Sequence, residues 1–466
     1  MTPSMTGRIV VVGNGMAAVR LVENLVARRT DHHVTVLGDE PHPPYNRILL
    51  SAVLEGTHPV EALTLREPGW YAEHGVDLRL GARALHIDRE RREVLLVDGT
   101  LVPYDRLVLA TGSIPTLPPI RGLVRAEGVL NEKVHAFRSL QDCQALLRAL
   151  PGARRAVVVG GGLLGLQVAR ALGVRGLATE VVEGGDHLLR SQVGPPAGAI
   201  LARDLRRLGT AVYTGTRAVR LTDAGLVLDN GVVLDTDLVV LTAGGRPAAA
   251  LARGAGLTVR RGIVVDERLA SVDDPDVFAI GDCAQAVGRT TGFVTPAWEQ
   301  AGVVAAVLAG KQAHYDGSRI VARLRATGLD VAVLGDPEHT DGQVVEVSNP
   351  VVGSHRRLVV RDGVIVGATL VGDLARVGLI TQHFDRGTVL APGEPGALLM
   401  TDAPVRPVQL GDDAEICACA GVTAGRVRAC GSLAEVRETT HATTGCGGCA
   451  PTVRQLLAAR PALVTP

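Results

Sequence analysis

Two strand–turn–helix segments built on glycine constrain this chain more than any other feature. The first runs Ile9–Val12, then Gly13-Asn14-Gly15-Met16-Ala17-Ala18, then a helix and a second β-branched strand at Val34–Leu37. The second runs from Ala156 through Gly160-Gly161-Gly162-Leu163-Leu164-Gly165 to Glu183. In a G-x-G-x-x-G/A turn the first glycine permits the tight bend. The second lets backbone approach a pyrophosphate, and the third lets helix pack close on strand. Backbone N–H groups and the helix dipole then hold the anion. Gly13, Gly15 and Ala18 fit with Ala at the third position, and Gly160, Gly162 and Gly165 fit strictly. Asp39 and Glu40 follow the first turn, and Glu183 ends the strand after the second, where a carboxylate takes ribose hydroxyls. A single turn of this kind reads equally well as an ordinary tight βα connection. Two of them, each behind an apolar strand and ahead of an acid, predict two dinucleotide-binding folds.

At 466 residues the chain is too long for one core. Apolar residues are 46% of it and aromatics only 2%, so the core is built from Val, Leu, Ile and Ala. A formal net charge of zero gives no support for nucleic acid or an anionic membrane as partner. The longest apolar stretches, such as Val303–Gly310 and Val364–Gly372, fall well short of a bilayer span. With the first strand at about Arg8, no room is left for a signal peptide, and a cytoplasmic location is expected. Between and after the two turns lie apolar strands ending in small residues: Leu107–Gly112, Leu238–Gly245 and Val277–Asp282. From about Gly317 to Gly372 short strands alternate with turns, and Asp362-Gly363 is a hairpin signal. Residues 388–413 carry several prolines and little periodicity, which is linker composition.

The nucleotide segments resemble the two-dinucleotide-fold flavoprotein disulfide-reductase superfamily. Ala110-Thr111-Gly112, Ala243-Gly244-Gly245-Arg246-Pro247, Phe278-Ala279-Ile280-Gly281-Asp282 and Pro44–Ser51 carry the resemblance. It implies FAD at the first turn and NAD(P)H at the second, with Asp282 on the ribityl chain and Arg47 on the flavin phosphates. Glu183 favours NADH, because a carboxylate there repels a 2′-phosphate, although Arg190 lies downstream within reach of one. Two positions depart from the family: Ala52 stands where many relatives have Lys, and Gln167 where many have Glu. Gln167 keeps hydrogen bonds to a nicotinamide amide but loses the charge. Segment 41–60 has no cysteine, so the thiol–disulfide chemistry of that superfamily is excluded there. No residue is therefore expected to act as acid, base or nucleophile.

Of seven cysteines, five crowd near the C-terminus, which in a reducing compartment points to metal rather than disulfides. Cys417-Ala418-Cys419 and Cys446-Gly447-Gly448-Cys449 form C-x-C and C-x2-C pairs. Four thiolates suit zinc or an iron–sulfur cluster. The C-x-C opening, with Val422-Thr423, Leu433–Val436 and Thr443–Pro451, resembles the bacterioferritin-associated-ferredoxin-like [2Fe–2S] module. Cys430 is expected to be a packing residue, and Cys143 and Cys283 small core hydrophobes.

The expected fold is α/β, with two Rossmann-like domains, the NAD domain inserted in the FAD domain. Its boundaries are 1–120 and 247–312 for FAD, 121–246 for NAD, 313–387 for a small α+β domain, 388–413 for a linker and 414–466 for a small helical [2Fe–2S] module. That order resembles the electron-input half of NADH-dependent nitrite reductase and the electron-transfer subunit of assimilatory nitrate reductase. Arg323-Leu324 and Thr327–Val331 belong to this resemblance. It implies a reductase that feeds a separate terminal enzyme, a nitrate reductase of the molybdenum type ahead of a nitrite reductase, and a homodimer is left open. The linker would let the cluster module swing. Two other classes remain open: the FAD/[2Fe–2S] subunit of an amine- or opine-type substrate dehydrogenase, and a flavoprotein with structural zinc. No sirohaem motif follows Cys449, so nitrite reduction by this chain alone is not expected.

Overall fold

The computed structural model describes residues 7–324, 326–400, 410–417, 420–444 and 448–458. It forms two compact units, the first made of Met1–Arg47, His58–Thr116 and Gly244–Ser318, the second of Ile48–Thr57, Leu117–Ala243 and Arg319–Pro466.

In the first unit the strands Arg8–Val12, His33–Leu37, Asp77–Arg79, Arg106–Leu109 and Asp274–Ala279 pair in parallel, with Ala270–Ser271 added antiparallel at one edge. Their near-continuous Val, Ile and Leu runs suit a sheet covered on both faces. Helix Met16–Ala27 packs against helix Val294–Leu308. Parallel order places the carboxyl ends of Arg8–Val12, Arg106–Leu109 and Asp274–Ala279 side by side. Such ends are where ligands bind in open α/β sheets. The unit also holds a three-stranded antiparallel sheet of Ala84–Asp88, Glu93–Leu96 and Leu101–Pro103.

The second unit contains another parallel sheet, in the order Thr210–Thr214, Ala178–Glu183, Arg155–Val159, Leu238–Leu241, Val134–Ala136. Helix Leu50–Glu55 groups with this unit, packing on helix Leu163–Val174, and Arg175 Nε donates to the Leu54 carbonyl at 2.9 Å. Further along, five antiparallel strands run in the order Val321–Arg323, Val331–Gly335, Val364–Val371, Ser354–Arg361, Gln343–Asn349. Their hairpin at Asp362-Gly363 has φ of 51° and 77°, the left-handed pair of a two-residue turn. The C-terminal module pairs Glu415–Cys417 with Val422–Thr423 and adds helices Ala424–Arg428, Leu433–Thr440 and Ala450–Ala458. Among the described residues no helix is long and apolar enough to cross a membrane.

The stretch from 388 is not a linker along its whole length. Glu394–Leu399 is a helix, and Leu390, Leu398 and Leu399 are buried with Leu358, Ile380 and Phe384 in the core of the antiparallel domain. The prolines misled because Pro395 sits in the first turn of that helix, where its missing N–H costs nothing. Residues 401–409 lie outside the described residues.

Leu399→Ala should therefore lower unfolding stability by about 3 kcal/mol. Met400→Ala, at an exposed neighbour, should change it by less than ~0.5 kcal/mol. Urea unfolding of both variants checks this, and equal effects would show that the helix carries no core.

Candidate functional site

At the end of the first strand Gly13 has φ +109°, and a Cβ there would lie 2.2 Å from the Ala110 carbonyl oxygen. Gly15 differs: its backbone is extended, and a Cβ would meet nothing within 4 Å. Ala18 is buried in the helix that follows. The first glycine thus admits a backbone contact, while the second faces open space at the N-terminus of helix Met16–Ala27. Both polar atoms of the Asn14 amide are buried there with no protein partner. An exposed helix terminus beside an unsatisfied amide fits a dinucleotide pyrophosphate.

Glu40 pairs with Arg47 and accepts a hydrogen bond from the Tyr45 hydroxyl at 2.8 Å, and the Arg47 guanidinium lies 4.8 Å from the Tyr45 ring centre. Asp39 points elsewhere, 66% exposed and 3.9 Å from Arg83. Of the two acids read from the sequence, Glu40 is the one drawn to the corner that holds Arg47. At the neighbouring strand ends, Ala110-Thr111-Gly112 is fixed by the Thr111 hydroxyl, which donates to the Ala248 carbonyl at 2.7 Å. Gly112 and Gly244 both have positive φ and open space where a side chain would be. Asp282 accepts from the Ser113 hydroxyl at 2.7 Å, and the Gly281 N–H donates to Gln300 Oε1 at 2.7 Å. Sequence reasoning missed Asn14, Ser113 and Gln300: the first shows itself only as a buried amide without a protein partner, and the other two only through their bonds to Asp282 and Gly281.

The second turn separates the three glycine roles more sharply. A Cβ on Gly160 (φ +116°) would sit 2.6 Å from the Thr242 carbonyl oxygen, and one on Gly165 would sit 1.8 Å from the Gly160 carbonyl oxygen. At Gly162 it would meet nothing within 4 Å. Glu183 closes the turn from the next strand: its Oε2 accepts from the Gly161 N–H and its Oε1 from the Gly185 N–H, each at 2.7 Å. Arg190 Nε lies 3.7 Å from Glu183 Oε1, and the Arg217 side chain packs over Gly184. One cation, Arg190, therefore lies beside this carboxylate, and a second, Arg217, not apparent from the sequence, packs on the adjacent Gly184. Gln167 is buried in helix Leu163–Val174.

In the C-terminal module Cys417 and Cys449 share an apolar core with Val422, Val427, Val436 and Val453. The Thr443 N–H donates to Cys449 Sγ at 3.1 Å, the kind of bond that stabilises a thiolate ligand. Cys430 bonds instead to the Arg426 carbonyl at 3.3 Å, as a packing cysteine would. Cys419 and Cys446 lie outside the described residues, and among the described residues no group of three or more ligand side chains forms a metal site. One cysteine of each expected pair, Cys417 and Cys449, is thus buried in one module, and Cys449 has a donor aimed at its sulfur, which fits a four-thiolate cluster. Cys143 and Cys283 are fully buried: burial pushes the Cys143 thiol up to about 11 and also raises that of Cys283. Both are inert core residues.

The family profile described as pyridine nucleotide-disulphide oxidoreductase matches residues 7–304, and that of the BFD-like [2Fe-2S] binding domain matches 415–459. Nitrite reductase [NAD(P)H] of Bacillus subtilis is 33% identical, covering 97% of this chain and 57% of that protein. The assimilatory nitrate reductase electron transfer subunit of the same organism is 30% identical, covering 97% of this chain and 59% of its own length. The chain thus spans little more than half the length of these curated relatives. Among solved structures, the covalent putidaredoxin reductase–putidaredoxin complex matches with a TM-score of 0.76 at 27% identity, over 84% of this chain and 95% of that one.

The glycine geometry separates folding from binding. Gly165→Ala should cost about 4 kcal/mol or prevent folding, because backbone blocks the new methyl. Gly162→Ala should leave the melting temperature unchanged and weaken NADH binding at least roughly tenfold, because its methyl occupies ligand space. Thermal unfolding and nucleotide titration of the two variants check this. Loss of stability in Gly162→Ala would mean that the open space is not a ligand site.

Proposed function

We propose a function from one premise: the chain belongs to the pyridine nucleotide-disulphide oxidoreductase family. It is an NAD(P)H-dependent FAD oxidoreductase whose chain also carries a BFD-like [2Fe–2S] domain. Our reading is that NADH is oxidised here and that electrons leave singly, through the cluster, to a separate terminal reductase. The observation that carries it is the combination of two glycine turns, each open at its second glycine, with a buried cysteine module in the same chain.

The chain's own part is binding, orientation and electrostatics. FAD, when bound, supplies the exchange between two-electron hydride and one-electron transfer. Amides of the Gly13–Ala18 turn and the N-terminus of helix Met16–Ala27 would hold its pyrophosphate together with Arg47, with Glu40 at the adenosine side and Asp282 near the ribityl chain. Amides of the Gly160–Gly165 turn would hold the nicotinamide nucleotide, with Glu183 on its ribose and Gln167 on its carboxamide. Cys417, Cys419, Cys446 and Cys449 would ligate the cluster. In this reading no side chain needs to move a proton.

A nitrate or nitrite reductase is the favoured acceptor, since relatives with those names cover 97% of this chain. We favour a molybdenum nitrate reductase as catalytic partner, a cytoplasmic location suited to reduced thiolates, and self-association as a homodimer. The complete second turn favours this reading over a substrate dehydrogenase that needs no nicotinamide nucleotide.

Purified anaerobically, the protein should show flavin absorption and, once reduced, a rhombic EPR signal from one [2Fe–2S] cluster. Cys417→Ser or Cys449→Ser should abolish the signal while NADH still bleaches the flavin, and Cys430→Ser should keep it. Ferricyanide reduction should need this protein alone, whereas nitrate reduction from NADH should also need the catalytic subunit. Stoichiometric zinc without iron, or nitrate reduction by the isolated chain, would refute the proposal.

NADH should exceed NADPH in kcat/KM, because the Glu183 carboxylate repels a 2′-phosphate, and Glu183→Ala should close most of the gap by freeing Arg190. Equal kcat/KM for both nucleotides in the parent protein would count against Glu183 as the selector.

A further inference from the structure

The segment Arg323–Val331 plays no part in either nucleotide turn, yet it joins two functional regions of the second unit. Arg323 ends the edge strand Val321–Arg323, and its Nη1 donates to the Gly448 carbonyl at 3.0 Å. Gly448 lies between Cys446 and Cys449, so the contact falls inside the C-x2-C pair. The fit is close: a Cβ on Gly448 would lie 2.8 Å from Arg323 Nη1 and 2.9 Å from its Cδ. Gly448 is not among the residues with positive φ, so a methyl there would meet the movable Arg323 side chain and displace it without straining the backbone. Among the described residues no carboxylate forms an ion pair with Arg323.

The other end of the segment is anchored as well. Ala326–Leu329 makes a turn, the Thr327 carbonyl accepts from Arg170 Nε at 3.0 Å, and the Thr327 hydroxyl bonds the Glu55 carboxylate. Arg170 sits on the helix that the Gly160–Gly165 turn opens, and it also donates to the Leu208 carbonyl at 3.1 Å. Arg323 therefore projects from a braced strand rather than from a loose loop.

We propose that Arg323 is a positioning residue of the iron–sulfur module: it ties the C-x2-C loop to the antiparallel domain and sets one positive charge beside the cluster. This rests on the cluster assignment under the proposed function. Reduction adds one negative charge to a cluster, and a nearby cation, held at fixed distance in a partly dry site, favours the reduced form. The same contact restrains a module that linker composition alone would leave free to swing.

The test is a potentiometric titration of the full protein, followed by the EPR signal and visible absorption of the cluster, with flavin content as the check of folding. Arg323→Gln should lower the midpoint so that the mediator equilibrium shifts about tenfold, which is ~59 mV for a one-electron couple. Arg323→Lys keeps the charge and should restore most of the shift. Gly448→Ala keeps the arginine but displaces it, and should move the potential in the same direction as Arg323→Gln. If Arg323→Gln fails to assemble the cluster, Gly448→Ala against Arg323→Lys gives the same comparison. A parent protein with no cluster would overturn the functional reading and this inference with it. A parent with the cluster, and an unmoved midpoint in these variants, would overturn this inference alone.

Discussion

Both nucleotide regions depend on backbone meeting backbone where a side chain would forbid it. Gly13 lies against the Ala110 carbonyl, Gly160 against that of Thr242, and Gly165 against that of Gly160. These approaches bring a helix N-terminus to the carboxyl end of a parallel strand, and the open positions at Gly15 and Gly162 follow from that arrangement. The rest of each site is secondary to it. Glu183 can grip two N–H groups only because the turn presents them, and the turn at Ala110-Thr111-Gly112 lies beside Gly13 only because its strand does.

Features carried by local rules were legible in the sequence. Apolar β-branched runs ending in glycine gave both parallel sheets, and Asp362-Gly363 gave the hairpin, because each follows from short-range sterics. The cysteine spacing likewise pointed to one buried module, and Cys417 and Cys449 share its core. What escaped was non-local. The helix Leu50–Glu55 joins the second unit through packing that no pattern within it announces, and Leu390 and Leu399 looked like linker because two apolar residues carry no period. Between Asp39 and Glu40 the sequence offered no choice; the difference lies in Tyr45 and Arg47, which reach back only once the chain has folded. Arg217 was invisible for the same reason.

The three kinds of thiol show how burial and hydrogen bonding sort one residue type into different chemistry. Cys143 and Cys283 donate to main-chain carbonyls in apolar surroundings, which holds them protonated. Within the small module Cys430 also bonds to a main-chain carbonyl, that of Arg426. Cys449 instead accepts an N–H, which favours the anion that a metal needs. Cys449 thus differs from Cys143 and Cys283 in receiving an N–H hydrogen bond at sulfur.

The first unit is assembled from three separated stretches, Met1–Arg47, His58–Thr116 and Gly244–Ser318. That interleaving has a cost during synthesis. Strand Arg106–Leu109 pairs on one side with Arg8–Val12, but its other edge waits for Asp274–Ala279. At ribosomal speed that delay is on the order of ten to thirty seconds. Over the same interval the sheet bearing Glu183 draws its five strands from one unbroken stretch, Val134 to Leu241, and can close first. The nascent chain thus carries an unfinished, apolar strand edge through the making of its neighbour, which is the period in which mispairing threatens it most.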